Sequence, residues 1–498
     1  MMNDMPNFHV QAKALKLETR AFIHGKYVSA ASGETFETVN PATGKAFASV
    51  AAGDERDVDA AVSAARAAFE AGYWSRLMPR ERKKILLRWA DLIDENKNEL
   101  ALIESLDCGK PIMDARNIDL PDSIETLRWH AEAADKIYDQ MSPAPTDVVS
   151  MIVREPMGVV GAVIPWNFPL FVAMWKMGPA LASGNSMVIK PAEQTSLSLI
   201  KLAALAAEAG IPDGVLNIVP GMGPTAGRAI GMHNDIDCVS FTGSGEVGRY
   251  FLEYSAKSNM KKIVLECGGK SPAIVMPDVK NLGPVLENVA AGILFCQGEN
   301  CSAGSRLIVH ESIKDRLLDE LRPVFATWKV GDPLDPYTKV GAMIEKGHLE
   351  KVLSYIDEGK KGGAKIGFGG AQVMKETGGY FVEPTIFENV TNDMRIAREE
   401  IFGPVLSVIT FKTEEEAVKL ANDTNYGLAA SLYTDDLNTA HKVAKSIRAG
   451  TVSVNCYSEG DFAVPFGGYK ESGFGGKDKG LAAHDQYTET KAIWIQLQ

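Results

Sequence analysis

Hydrophobic positions change their spacing several times along the chain, and each change predicts an element. The first 55 residues read as short strands and turns, among them 20–25 and the Asn40-Pro41-Ala42-Thr43-Gly44 turn. Residues 57–71 are Ala-rich with helical spacing. From 81 to 105 the stripe Ile85, Leu86, Trp89, Leu92 and Ile93 predicts one long amphipathic helix, and 118–138 predicts another. A break over 143–153 turns extended at Val148. Strand and helix patterns then alternate: strand 159–164, helix 170–182, strand 186–189, helix 196–209 closed by Gly210, strand 215–219, short helix 225–231, strand 238–241, helix 245–258 and strand 262–266. This rhythm predicts a parallel sheet with helices on both faces. A second α/β alternation starts at Pro272, with helices at 282–295, 314–328 and 414–422 and a strand at 306–310. The tail 487–498 is extended, and its alternating stretch 489–497 predicts a strand able to pair with a distant edge.

One segment resembles a membrane span in length: residues 156–175 carry no formal charge. Pro165 and Pro169 lie inside it, with Asn167 between them. A helix interior does not readily accept two such prolines, so a buried strand running into a polar-tipped loop fits better. The 498 residues suggest about two to four domains. With 45% hydrophobic and 23% charged residues, the composition excludes a disordered, collagenous or coiled-coil chain. A net charge of −12 argues against nucleic acid or an anionic membrane as partner. Six cysteines are too sparse for a disulfide scaffold. The start, Met1-Met2-Asn3-Asp4-Met5-Pro6, lacks the basic-then-apolar pattern of a signal peptide. A cytoplasmic protein with reduced thiols is expected.

The strand ending at Thr242 runs into Gly243-Ser244-Gly245-Glu246-Val247-Gly248 and then a helix. That is G-x-G-x-x-G in strand–turn–helix context, where glycines admit a pyrophosphate and free N–H groups attract anions. The simple template would make Glu266, some 20 residues on, the ribose ligand. Gly269-Lys270-Ser271 resembles the tail of a P-loop but lacks its upstream glycine, since Val264 stands there. No H-E-x-x-H or C-x-x-C occurs, so no metal site is expected. Five cysteines, Cys108, Cys238, Cys267, Cys296 and Cys456, read as inert small core residues. Cys301 differs: it lies among small flexible residues after a helix, where a loop can present a nucleophilic thiol.

Seven blocks together identify a resemblance to the aldehyde dehydrogenase superfamily over essentially the full length. They are Pro165-Trp166-Asn167-Phe168-Pro169, Lys190-Pro191-Ala192-Glu193, Phe241-Thr242-Gly243-Ser244, the run from Leu265 to Pro272, Gly298-Glu299-Asn300-Cys301, the run from Glu399 to Pro404 and the run from Pro465 to Lys470. Among its branches, residues 20–25, 259–262 and Glu459-Gly460-Asp461 resemble bacterial enzymes that oxidise γ-glutamyl-γ-aminobutyraldehyde and related ω-amino or guanidino aldehydes.

The resemblance implies NAD-dependent oxidation of an aldehyde, with NADP weaker. Cys301 would attack the aldehyde, Asn167 and the Cys301 N–H would hold the oxyanion, and Glu266 would activate water, which replaces its ribose reading. Lys190 and Glu193 would hold the adenosine ribose, Gly243 and Ser244 the pyrophosphate, and Glu400, with Phe402 and Trp166, the nicotinamide side. The family usually has Thr after that serine, where Gly245 stands here. Phe168, Trp175 and Phe466 would line the substrate tunnel, and Asp122, Glu459 and Asp461 its mouth, favouring a cationic tail. The runner-up is a broad-specificity aliphatic or aromatic aldehyde dehydrogenase. Glu266 argues against a CoA-acylating relative, and the intact Cys301, Glu266 and Asn167 argue against a non-enzymatic role. The implied fold is α/β: a variant Rossmann NAD domain over 1–138 and 156–268, a catalytic α/β domain over 269–478, and a β oligomerisation arm over 139–155 and 479–498, giving a homodimer or homotetramer.

Overall fold

A computed structural model describes residues 7–498; the start, expected to carry no signal peptide, falls at 1–6 and lies outside them. One sheet has eight strands in the spatial order Lys26–Val28, Ala21–Ile23, Leu216–Ile218, Ser186–Lys190, Val159–Val163, Cys238–Gly243, Lys262–Cys267 and Gly473–Phe474. Its five central strands are parallel. All residues of Val159–Val163 and Ser186–Lys190 are buried, as expected of strands covered on both faces, where the sequence reads as a continuous apolar run. Strand order reverses between Val159–Val163 and Cys238–Gly243: the chain builds outward on one side through 218 and on the other through 267. Such a reversal opens a crevice at the strands' carboxyl ends.

A second, seven-stranded sheet is centred on Arg306–His310, Pro272–Val275 and Ala429–Tyr433, which run parallel. The strand Gly473–Phe474 lies within the segment expected to be catalytic yet pairs antiparallel with Lys262–Cys267 of the first sheet. A third sheet joins Thr488–Gln496 antiparallel to Val148–Pro156, from Thr488 opposite Pro156 to Gln496 opposite Val148. The alternating tail thus pairs with a segment more than 300 residues away, and its outer positions Trp494, Ile495 and Leu497 stay exposed.

Several expectations need correcting. The single helix over 81–105 is two helices, Pro79–Glu95 and Lys97–Cys108. Asn96 breaks it: its side-chain amide donates to the Leu92 carbonyl at 2.8 Å, an alternative to the helical ladder that Asn favours. The helix expected over 118–138 is a wide π-turn, Ala115–Asp119, followed by Leu120–Ala133. The first 55 residues also hold a helix, Phe8–Ala14, anchored by the buried Phe8. Cys456 is exposed rather than a core residue. The uncharged stretch 156–175 is a buried strand, a loop and the start of the helix Pro169–Ala182. Among the described residues, no helix is long and apolar enough to cross a membrane.

Candidate active site

A cavity of about 970 Å³ opens at the crevice and is lined by Asn167, Glu266, Cys301, Gly243, Ser244, Glu400 and Phe402, among others. Asn167, Glu266 and Cys301 arrive on three different segments. Cys301 follows the helix Gly283–Leu294 through a tight turn in which Cys296 and Gln297 take positive φ, 50° and 55°. Gly298 closes the turn at φ 73°, and a Cβ there would lie 2.4 Å from the backbone of Gly403, so only glycine lets the two loops touch. The Cys301 backbone N–H makes no hydrogen bond among the described residues.

Asn167 sits in the Pro-flanked loop before the helix Pro169–Ala182. Its amide Nδ2 donates to the Glu299 carbonyl at 2.8 Å, which orients the amide and leaves its second hydrogen uncommitted. Two thiols grip the same loop from behind: Cys108 Sγ donates to the Trp166 carbonyl at 3.3 Å and Cys296 Sγ to the Asn167 carbonyl at 3.7 Å. Those two cysteines, read as inert, therefore shape the site.

Glu266 lies near the end of Lys262–Cys267, opposite Thr242 in the neighbouring strand. It is buried, and neither carboxylate oxygen has a hydrogen-bond partner. Burial, reinforced by the Asp478 charge, pushes its carboxyl well above the usual range. Lys176 is nearby but its ammonium is bound to Asp478 at 3.1 Å, both fully buried. Burial likewise raises the Cys301 thiol, and Glu459, Glu266 and Glu400 add to the effect.

On the crevice side, Ser244 caps the helix Gly245–Lys257 by accepting from the Val247 N–H at 3.2 Å. The Thr242 hydroxyl lines the cavity without a partner. Glu400 accepts from the Gly269 N–H at 2.9 Å, and its carboxylate fills the space a Cβ on Gly268 would need, 2.0 Å away. Burial lifts the Glu400 carboxyl to about 7. Trp166 meets the Phe402 ring edge-on at 5.2 Å. A glycine-rich turn, a helix N-terminus, an unpartnered hydroxyl and a carboxylate over a glycine form a donor and acceptor set that suits a dinucleotide. Lys190 and Glu193 lie outside this cavity wall. They form an ion pair at 3.1 Å, with Lys190 buried and Glu193 partly exposed.

Phe168, Trp175 and Phe466 belong to one apolar cluster that lines the cavity. Trp175 packs at 5.0 Å from both Phe171 and Phe466, and Phe168 stacks on Phe295. The Trp175 indole N–H is buried and unpartnered. Asp122, Glu459 and Asp461 all line the cavity. Burial raises the Asp122 carboxyl to about 6. Glu459 accepts from the hydroxyl of Ser302, the neighbour of Cys301, and Ser302 also bonds Tyr457 at 2.9 Å.

Sequence reasoning missed Lys479, a cation among these acids, and the Lys176–Asp478 pair beside Glu266. The run Lys477-Asp478-Lys479 reads as an ordinary solvated charge run, and no local signal marks it as buried.

Residues 27–493 match the pattern of the aldehyde dehydrogenase family. The aminoacetaldehyde dehydrogenase of Pseudomonas aeruginosa is 54% identical over 484 residues, 97% of this chain and 97% of the relative. Among solved structures, the γ-glutamyl-γ-aminobutyraldehyde dehydrogenase of Burkholderia cenocepacia superposes with a TM-score of 0.97 at 51% identity, covering 99% of each chain. The indole-3-acetaldehyde dehydrogenase of P. syringae, in complex with NAD+ and IAA, gives 0.97 at 52% identity, covering 98% of this chain and 99% of its own.

Proposed function

The chain belongs to the aldehyde dehydrogenase family and is an NAD-dependent oxidoreductase acting on aldehydes, and from that premise we propose that it makes the carboxylic acid through an adduct on Cys301, with Glu266 as base. The observation that carries this reading is the buried carboxylate of Glu266, both oxygens unpartnered, in the same cavity as the Cys301 thiol. A buried acid without partners is costly unless the site uses it.

Cys301 Sγ gives its proton to bulk solvent and, as the thiolate, bonds to the aldehyde carbon, and the C=O π pair moves onto oxygen. The uncommitted Asn167 amide hydrogen and the Cys301 N–H hold that oxyanion. When bound, NAD supplies the acceptor for the hydride whose loss turns the thiohemiacetal into a thioester. Glu266, once ionised, takes a proton from water as the water oxygen adds to the thioester carbon. The C–S bond then breaks, the acid leaves, and Cys301 is restored.

Gly243, Ser244 and the N-terminus of the helix Gly245–Lys257 hold the pyrophosphate of NAD. Glu400 accepts from the nicotinamide ribose, with Phe402 and Trp166 alongside. Lys190 and Glu193 take the adenosine ribose, where the Glu193 carboxylate disfavours a 2′-phosphate and so favours NAD over NADP. The substrate is an ω-amino, γ-glutamylamino or guanidino aldehyde, supported by Asp122, Glu459 and Asp461 at the mouth. A second reading, a bulky apolar or aromatic aldehyde, is favoured by the wall of Phe168, Phe171, Trp175 and Phe466. The NAD domain spans 1–138 and 156–268, the catalytic domain 269–478, and the arm 139–155 and 479–498. Through the exposed face of its arm the chain forms a homodimer or homotetramer, working in the cytoplasm.

The test is NADH formation with equal-length aldehydes ending in ammonium, a neutral group or carboxylate. Turnover with the ammonium tail leading supports the first reading. Bulky apolar aldehydes leading whatever their charge supports the second, and no NADH with any aldehyde overturns both.

A further inference from the structure

The acidic mouth already contains a cation. Lys479 is buried, and its ammonium lies 5.6 Å from the centroid of the Trp175 ring and 5.7 Å from that of Phe466. Both distances fall within the range of cation–π attraction. Two of its hydrogens go to the carbonyls of Glu459 and Gly460, at 3.1 and 3.2 Å. Burial pulls its ammonium below the usual lysine value, and the charges of Glu459, Asp122 and Asp461 oppose that shift. The backbone holds it there: Lys479 has φ 63°, and its neighbours are bridged to the facing loop by Phe466 N–H to Asp478 at 2.6 Å and Gly480 N–H to Phe462 at 2.8 Å. A left-handed conformation at a residue other than Gly or Asn persists only where the surroundings enforce it.

Two aromatic faces, two carbonyls and three acids are the chemistry that would recognise an alkylammonium tail. Here the protein's own lysine is in that position.

We propose that Lys479 is the specificity-determining residue of the tunnel mouth, a built-in cation that competes with a cationic substrate tail and attracts an anionic one. The mouth's preference for a cationic tail is then weaker than three acids alone would impose. The inference rests on the aldehyde-oxidation reading, but not on which tail the unmodified enzyme prefers.

The experiment compares kcat/KM for the same three aldehydes in the unmodified enzyme and in K479M, K479Q and K479R. K479M removes the charge and the donors; K479Q removes the charge and keeps a donor for the loop carbonyls, so it decides the matter if K479M does not fold. In both, the ammonium-to-neutral ratio should rise by about two- to fivefold, the scale of one partly screened charge contact. The carboxylate-to-neutral ratio should fall by a similar factor, and K479R should keep both ratios near their starting values. If all three aldehydes lose activity in parallel and the ratios stay put, Lys479 only pins the loop and the inference is overturned. An unmodified enzyme that oxidises none of the three fails at the earlier reading, which separates the two failures.

Discussion

The Asn167 side-chain amide donates to the backbone carbonyl of Glu299 at 2.8 Å, two residues before Cys301. This single bond ties the loop ahead of the helix Pro169–Ala182 to the loop that carries the thiol. It also sets the direction of the amide hydrogen left for substrate. Asn167→Ala should therefore lower kcat by about 10²–10³-fold, with little change in KM. Rapid-mixing kinetics would check it; a defect confined to KM would show that Asn167 serves binding alone.

Removing the base should separate the two halves of the reaction. Glu266→Gln should retain a burst of NADH near one equivalent per site and then turn over slowly, with an acyl-enzyme visible by intact-protein mass spectrometry. Cys301→Ala should lose both burst and turnover. A Glu266→Gln enzyme with normal steady-state rate would remove Glu266 from the mechanism.

The pH profile follows from the burial of both groups. In the proposed mechanism Cys301 and Glu266 react in their deprotonated forms, and burial raises both above their ordinary values. A raised value means the reactive form is lost sooner as pH falls. Activity should rise with pH, with an acid limb well above the usual carboxylate range. The burst rate should follow Cys301 and the steady-state rate Glu266, so Glu266→Gln should abolish the limb for thioester hydrolysis alone. A profile flat down to pH 5 would contradict the assignment.

Glu193 faces solvent on one side and Lys190 on the other. The ratio of kcat/KM for NAD over NADP should exceed one and should drop by about tenfold in Glu193→Gln, the scale of one contact to a charged group. An unchanged ratio would assign selectivity elsewhere.

The acidic mouth is best probed without touching Glu459, because its carboxylate holds Ser302 beside the nucleophile. The double variant Asp122→Asn with Asp461→Asn should lose about two- to thirtyfold in kcat/KM on an ammonium-tailed aldehyde, at roughly 0.2–1 kcal/mol for each partly exposed contact. Its activity on a neutral aldehyde of equal length should hold. The loss should shrink as salt rises, since screening weakens wet charges first. Equal effects on both substrates would leave the aromatic wall as the determinant.

Much of this protein is legible along the chain. Period and length alone locate the strands Val159–Val163 and Cys238–Gly243 and the helices between them, because a strand buried on both faces must be apolar throughout and a crossover helix must turn one face to the sheet. Asn167 and Glu266 are legible only through the resemblance to the family, and Cys301 also through its loop of small flexible residues. Long-range relations are not written in any local stretch. Asn96 breaks a helix whose stripe runs on without interruption, because one side-chain hydrogen bond outweighed a continuous pattern. Cys108 and Cys296 look inert until folding aims both at the loop of Asn167. Lys479 reads as a solvated charge until its loop packs on the helix Pro169–Ala182 and buries it against Trp175 and Phe466. Chain pattern records what each residue prefers to touch, water or apolar surface. Which partner it meets is decided only when segments hundreds of residues apart pack together, and the charge balance of the tunnel mouth depends on that meeting.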